Sequence, residues 1–396
     1  MSNKVVYKGF TLVDGTGAQE VNNAYLVVEG KKVVKVGSLD SYNEEENSEV
    51  VDLSGKTVMP GLINSHVHIV MEPVGDPNSI MLTESPYKAV LRGSNNLKKH
   101  LYSGTTFFRD MGGYEYIDLT LRDAVKEGLI EGAEFVASGK VVTMTGGHGW
   151  VMGREADGPE ETRKAAREQL KAGADVIKIM ATGGVMTKGV EPGSPQLSME
   201  EIKAAVDEAH KAGKLTATHA QGTTGIKNAV MAGIDSVEHG IFLDDEVIQM
   251  MVDRGTYLVP TLVAPYFIVK YGVENGVPQY AVDKSNYVMK YHHESFRKAH
   301  KAGVKIAMGT DSGTPFNQHD GAPWELKLMV ENGMTPMEAI VASTKNSAEC
   351  LGILNDYGTL EAGKFADFIV LNENPLENLD ILFDVESVYK LGKKVK

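Results

Sequence analysis

Four times between residues 171 and 311 the sequence repeats one punctuation. A helical pattern closes on Ala-Gly and a short apolar run follows at once: KAGADVIKI (171–179), KAGKLTATH (211–219), MAGIDSVEH (231–239) and KAGVKIAMGTD (301–311). Glycine just past the last helical residue takes the left-handed conformation that ends a helix. The runs behind it are rich in Val and Ile and short enough to be strands. In order, the pattern predicts a helix over 160–172, a strand over 175–180, a helix over 199–212, a strand over 215–219, a helix over 225–232 and a strand over 236–239. Strands alternating with helices imply a parallel sheet, and the number of units suits a closed (β/α)8 TIM barrel better than a short open sheet.

The two ends of the chain read differently. Short strands are expected at 4–10, 24–29, 32–36 and 49–52, with a turn at Gly30, and again at 368–371 and 385–391. The simplest α/β architecture is a barrel over residues 60–357 beside a small β-sandwich domain formed by both chain ends, residues 1–59 plus 358–396. With 396 residues, 42% of them hydrophobic, the chain can bury a core of that size. A net charge of −13 argues against a nucleic-acid or anionic-membrane surface, which needs clustered Lys and Arg. The single cysteine, Cys350, cannot form an intramolecular disulfide and excludes a Cys-rich zinc site. Residues 1–14 lack a leader pattern and no run approaches about 18 apolar residues. A cytoplasmic protein acting on a small molecule, with no nucleic acid or membrane partner, is therefore expected, as a homo-oligomer.

The strongest local signal is PGLINSHVH at 60–68. Residues i and i+2 of a strand share a face, so His66 and His68 can aim two imidazoles at one point. Two core histidines would satisfy the same spacing, but three further strand ends add to it. His219 closes the strand 215–218, His239 closes 236–238 and Asp311 closes 305–310. In a barrel these positions gather at the C-terminal face, where active sites sit. Arg109-Asp110 reads as a structural ion pair beneath that face.

Lys178 is out of place among Val176, Ile177, Ile179 and Met180. A buried ammonium must be paired, neutralised or covalently changed. One reading is a lysine reaching the rim to meet a carboxylate. The other is a deprotonated amine that reacts with carbon dioxide to give a carbamate, turning a cation into a bidentate anion able to bridge two metals.

The set VMPGLINSHVH, DVIKIMATGG, ATHAQG, SVEHGIF and MGTDSG resembles the amidohydrolase superfamily. Within it the chain is similar to metal-dependent hydrolases of the prolidase-like (Xaa-Pro dipeptidase) and imidazolonepropionase-related group. LVDGTG near the start, with LEAGKFADFIVL and VYKLGKKV near the end, resembles that group's sandwich, so the likeness spans the whole chain. It implies a (β/α)8 barrel with a binuclear centre of two divalent ions, zinc being the natural expectation. By that pattern His66, His68 and Asp311 hold one ion, His219 and His239 the other, and N6-carboxylated Lys178 bridges them. Such a pair of cations leaves hydroxide at neutral pH and polarises a carbonyl. Asp311 is then ligand and general acid/base together. The resemblance also implies that His148, in the loop TGGHGW (145–150), steadies the substrate oxyanion.

The leading expectation is hydrolysis of an amide bond to an amino acid, in an Xaa-Pro-type dipeptide or an N-acyl amino acid. Opening of a cyclic amide, as by imidazolonepropionase-like members, and cleavage of an amide or urea bond in a xenobiotic or mycotoxin are the alternatives. A non-catalytic scaffold and a mononuclear deaminase are disfavoured by the full ligand series and by Lys178. Gln221, two residues after His219, stands where many prolidase-like members carry an aromatic hydroxyl. Gln221, Tyr266 and His319 are the candidate substrate contacts, and the Gly/Pro-rich segment 183–198 is a candidate lid or pocket wall. His100, His210, His292, His293 and His300 lie in charged helical patterns and are expected on the surface.

Overall fold

The computed structural model describes residues 4–43 and 48–396. The first three residues of the stretch read for a leader lie outside this range. The predicted alternation is present: Pro159–Ala172 (helix), Val176–Met180 (strand), Met199–Lys211 (helix), Leu215–Ala220 (strand), Thr223–Ala232 (helix) and Ser236–His239 (strand) follow one another. Gly173 and Gly233 end their helices with φ of 96° and 92°.

The chain ends meet in one eight-stranded sheet. From one edge it runs Lys393–Lys394, Ser387–Lys390, Phe368–Leu371, Thr57–Pro60, Lys4–Leu12, Val21–Glu29 and Lys32–Ser38, with Glu49–Asp52 also paired to Lys4–Leu12. Alternation decides its faces. Tyr7, Leu26 and Val28 join an apolar cluster with Phe368 and Tyr389, whereas Val6, Tyr25 and Val27 pack on the other side.

The central part is an α/β TIM-barrel-like fold of parallel strands. Leu62–Val67, Thr105–Asp110 and Glu134–Ala137 form one sheet. Gly153–Glu155, Val141–Thr143, Val176–Met180, Leu215–Ala220, Ser236–His239 and Tyr257–Val259 form another. Asp175 N donates to Ala137 O at 2.8 Å and ties the two sheets on one side. On the other side the expected strand at 305–310 is not a regular ladder but a bridging segment. Leu258 N donates to Lys305 O at 2.8 Å, Ser65 N to Met308 O at 2.8 Å and Asp311 N to His66 O at 2.8 Å. Gly309 makes that approach feasible, because a Cβ there would stand 2.4 Å from Val259 Cγ1 and 2.8 Å from His66 Cβ.

Candidate metal centre

The C-terminal strand ends open into a cavity of about 370 Å³, lined by His66, His68, His148, Lys178, His219, Gln221, His239 and Asp311 among mostly apolar neighbours. Three of the strand-end groups bend the backbone out of its ordinary range. His239, Thr261 and Asp311 have φ of 71°, 51° and 60°, a left-handed conformation rare for side-chain-bearing residues. Such strain persists only where the surroundings over-determine it. Here they do. Asn64 Oδ1 accepts from Thr310 N at 3.1 Å and its Nδ2 donates to Thr310 Oγ1 at 2.8 Å, pinning the chain just before Asp311.

The imidazoles are oriented from behind. His66 Nδ1–H donates to Glu238 Oε2 at 2.8 Å and His68 Nδ1–H to Gly112 O at 2.9 Å. His239 Nδ1 meets Thr261 Oγ1 at 2.7 Å, and His219 Nε2–H donates to Gly183 O at 3.0 Å. Each ring therefore spends one nitrogen outward, as metal-ligating histidines do. The consequence is clearest at His66 and His68. Their Nε2 atoms both lie 3.3 Å from Asp311 Oδ1, and these three atoms form the one group among the described residues close enough to share an ion. With Nδ1–H committed elsewhere, lone pairs converge unless a cation enters.

The electrostatics point the same way. Burial would raise the Asp311 carboxyl, yet His66 and His68 hold it well below the usual carboxylate range. Burial works against charge on His68, but Asp311 outweighs it and the imidazole lies above its ordinary value. The pocket thus favours a positive charge between these atoms. Burial pushes His219 and His239 well below the ordinary imidazole value, so both rings are neutral at neutral pH. The donor set, imidazoles plus a carboxylate with no thiolate, fits a divalent ion such as zinc.

Lys178 is 1% exposed and lines the cavity. Burial brings its ammonium down to about 8 against the opposing pull of Glu238 and Asp311. Free amine is then far more accessible at neutral pH than for an exposed lysine. That amine is the form a carbamate requires.

Arg109 corrects one expectation. It does not pair with Asp110: its Nη2 donates to Glu238 Oε1 at 2.9 Å and its Nε to Ser65 O at 2.8 Å. Neighbours in a strand point to opposite faces. Asp110 instead accepts from Ile69 N at 2.6 Å and Gly112 N at 3.1 Å. Glu238, overlooked in the sequence, is held at about 2 by Arg109 and then His66 against burial. Its position one residue before His239, inside a strand that should be apolar, was the available signal.

The substrate-side expectations separate. His148 lines the cavity, its ring centroid 4.1 Å from that of His219 and tilted 35° to it. Gln221 also lines it, with Oε1 buried and unpartnered among the described residues. Tyr266 does not. It packs on Phe267 and Trp324, the ring centroids 5.4 and 6.4 Å away. His319 is buried behind the wall, donating from Nε2 to Met71 O at 3.1 Å and meeting His100 Nε2 through Nδ1 at 3.2 Å. His100 and His292 are buried too, against expectation, at 0% and 1% exposure. Their helices, Pro86–Tyr102 and Gln279–Ala302, turn those positions to the apolar face. His292 even lines the cavity, whereas His210 is exposed and His293 and His300 are partly so.

The sequence matches the model of the amidohydrolase family over residues 57–395. The chain belongs to the amidohydrolase family. It is 33% identical to the ochratoxinase of Aspergillus niger over 428 aligned positions, covering 99% of this chain and 86% of that one. Among solved structures, a Xaa-Pro dipeptidase with methionine in its active site superposes with a TM-score of 0.92 at 33% identity. A prolidase complexed with N-methylphosphonate-L-proline gives 0.92 at 32% identity. Both comparisons cover 100% of each chain. The protein is thus an amidohydrolase-family hydrolase with prolidase-like relatives. No helix among the described residues is long and apolar enough to cross a membrane.

Proposed function

We propose that the protein is a binuclear metal hydrolase that cleaves an amide bond to an amino acid, in an Xaa-Pro-type dipeptide or an N-acyl amino acid. The observation that carries this reading is the convergence of His66, His68 and Asp311 in one cavity with Lys178, His219 and His239. His66, His68 and Asp311 would hold one divalent ion, His219 and His239 the second, with carboxylated Lys178 between them. Bound zinc would supply Lewis acidity toward the substrate carbonyl and the attacking water.

The chain's own groups supply the rest. With Oδ1 set between two imidazoles, Asp311 Oδ2 is the atom left to take the water's proton and return it to the leaving nitrogen. An amide nitrogen leaves poorly without that proton. His148 offers a ring nitrogen to the carbonyl oxygen as charge develops there. Gln221 Oε1, buried without a partner among the described residues, is left for a donor on the substrate. The apolar wall, including Met71, Met152, Met180, Ile241 and Ile268, excludes water and takes the substrate's apolar part.

The ochratoxinase relative favours a second reading, a mycotoxin-type amide, and the apolar wall suits it. In either reading we take Leu62–Val67, Thr105–Asp110, Glu134–Ala137, Val176–Met180, Leu215–Ala220, Ser236–His239, Tyr257–Val259 and the 305–312 segment as a closed eight-membered barrel. The terminal strands are its β-sandwich companion, and the enzyme is a cytoplasmic homo-oligomer. A screen of dipeptides and N-acyl amino acids against protein of known metal content tests the proposal. Turnover of such amides is expected; opening of a cyclic amide alone would overturn it.

A further inference from the structure

The segment 183–198 touches His148 at three places. Gly184 lies flat against the imidazole, where a Cβ would come within 2.6 Å of Cε1 and 2.7 Å of Nε2. Gln196 Oε1 accepts from His148 N at 2.9 Å. Thr187 Oγ1 meets His148 Nδ1 at 2.8 Å. The tip of the segment is in turn fastened to two helices. Lys284, on Gln279–Ala302, donates to Thr187 O at 2.8 Å and also to Val190 O. Met186 O accepts from Tyr280 OH at 3.3 Å and from Asn78 Nδ2 at 3.2 Å. The segment is more than a pocket wall; it is the mount of His148.

We propose that Thr187 is a positioning residue that fixes His148 with its proton on Nε2, and that Lys284 holds Thr187 in place. A neutral imidazole donates from one nitrogen and accepts at the other. The Thr187 hydroxyl hydrogen has one acceptor among the described residues, His148 Nδ1. Giving it to that nitrogen satisfies both groups and leaves Nε2–H as the donor toward the cavity. The reverse arrangement would strand the hydroxyl hydrogen and aim a lone pair at any carbonyl oxygen entering the site. Only the Nε2–H form can stabilise an oxyanion, so the kinetic consequence rests on the role given to His148 above. The tautomer itself does not.

The test uses zinc-loaded protein labelled with 15N-histidine, with His148→Asn assigning the signal. The ring nitrogen shifts report the tautomer without any substrate. The wild type is expected to carry the proton on Nε2, Thr187→Val to move population to Nδ1, and Thr187→Ser to restore the wild-type pattern. Lys284→Met should shift it in the same direction as Thr187→Val, but less. On any amide the enzyme turns over, Thr187→Val should lower kcat about tenfold or more with little change in KM, because one oxyanion donor is worth about 10²–10³. A wild-type His148 protonated on Nδ1, or a Thr187→Val protein with an unchanged tautomer, would overturn the proposal. A shifted tautomer with unchanged kcat would uphold the Thr187 assignment and contradict instead the carbonyl-binding role of His148.

Discussion

His66 gives its Nδ1 proton to Glu238 Oε2 at 2.8 Å, and both side chains are essentially unexposed. Glu238 also accepts from Arg109 at 2.9 Å and from Ser236 Oγ at 2.7 Å, so one carboxylate beneath the site orients a candidate ligand and neutralises a buried guanidinium. Glu238→Gln leaves Arg109 without its counter-charge. Breaking a buried pair from one side costs about 3–5 kcal/mol. Losing the outer partner of a ligating histidine typically lowers metal affinity about 10–100-fold. Thermal unfolding and metal retention after dialysis against a weak chelator check the two effects. Retention equal to wild type would contradict the orienting role.

Asp311→Asn keeps shape and one acceptor oxygen while replacing the proposed proton acceptor by an amide NH2 donor. Turnover should fall by about 10²–10⁴, the usual worth of a positioned general acid/base. Circular dichroism and metal analysis establish that the variant is folded and loaded. Near-wild-type turnover with metal bound would remove the proton shuttle from the mechanism.

Lys178 makes a prediction about reconstitution. Stripping metal with a chelator should release carbon dioxide from the lysine, so reloading in carbonate-free buffer should recover less activity than reloading with bicarbonate. Intact-mass measurement under mild conditions should show one added carbon dioxide only in the loaded protein. Recovery independent of bicarbonate would sink the carbamate.

The buried His100–His319 pair predicts acid lability away from the site. Burial pushes His319 down to about 3 and His100 well below its ordinary value of 6.5. Unfolding lets both bind protons near pH 6.5, while the folded protein refuses them. Stability from this pair is therefore complete above about pH 6.5 and is lost as pH falls below it. At pH 5 the loss due to His319 alone amounts to about 2 kcal/mol. Urea unfolding at pH 7 and pH 5 should show a steeper loss for wild type than for His319→Gln. Parallel slopes would contradict the assignment.

The strand-end residues were readable for a local reason. His66 and His68 are two apart at a strand end, Lys178 interrupts an apolar run, His219 and His239 lie at strand ends, and Asp311 closes the bridged segment beside them. What escaped were contacts made across the barrel. Glu238 matters through Arg109 and His66, Thr261 through His239, and Thr187 through His148, and no spacing within one segment reveals such pairs. His100 and His292 were misplaced for a different reason. Charged neighbours obscured the helical period, although 281, 285, 288, 292, 295, 296 and 299 form the buried stripe of the long helix. The 305–310 segment was expected as a strand closed by Asp311. It is held instead by isolated bridges to its neighbours, because its backbone turns toward the site at Asp311.

The most direct measurement is metal content per chain, titrated against amide hydrolysis in the same preparation. The account predicts hydrolysis of an amide to an amino acid that rises with loading and is complete at two divalent ions per chain. Full activity at one ion per chain, with Lys178 unmodified, would contradict it.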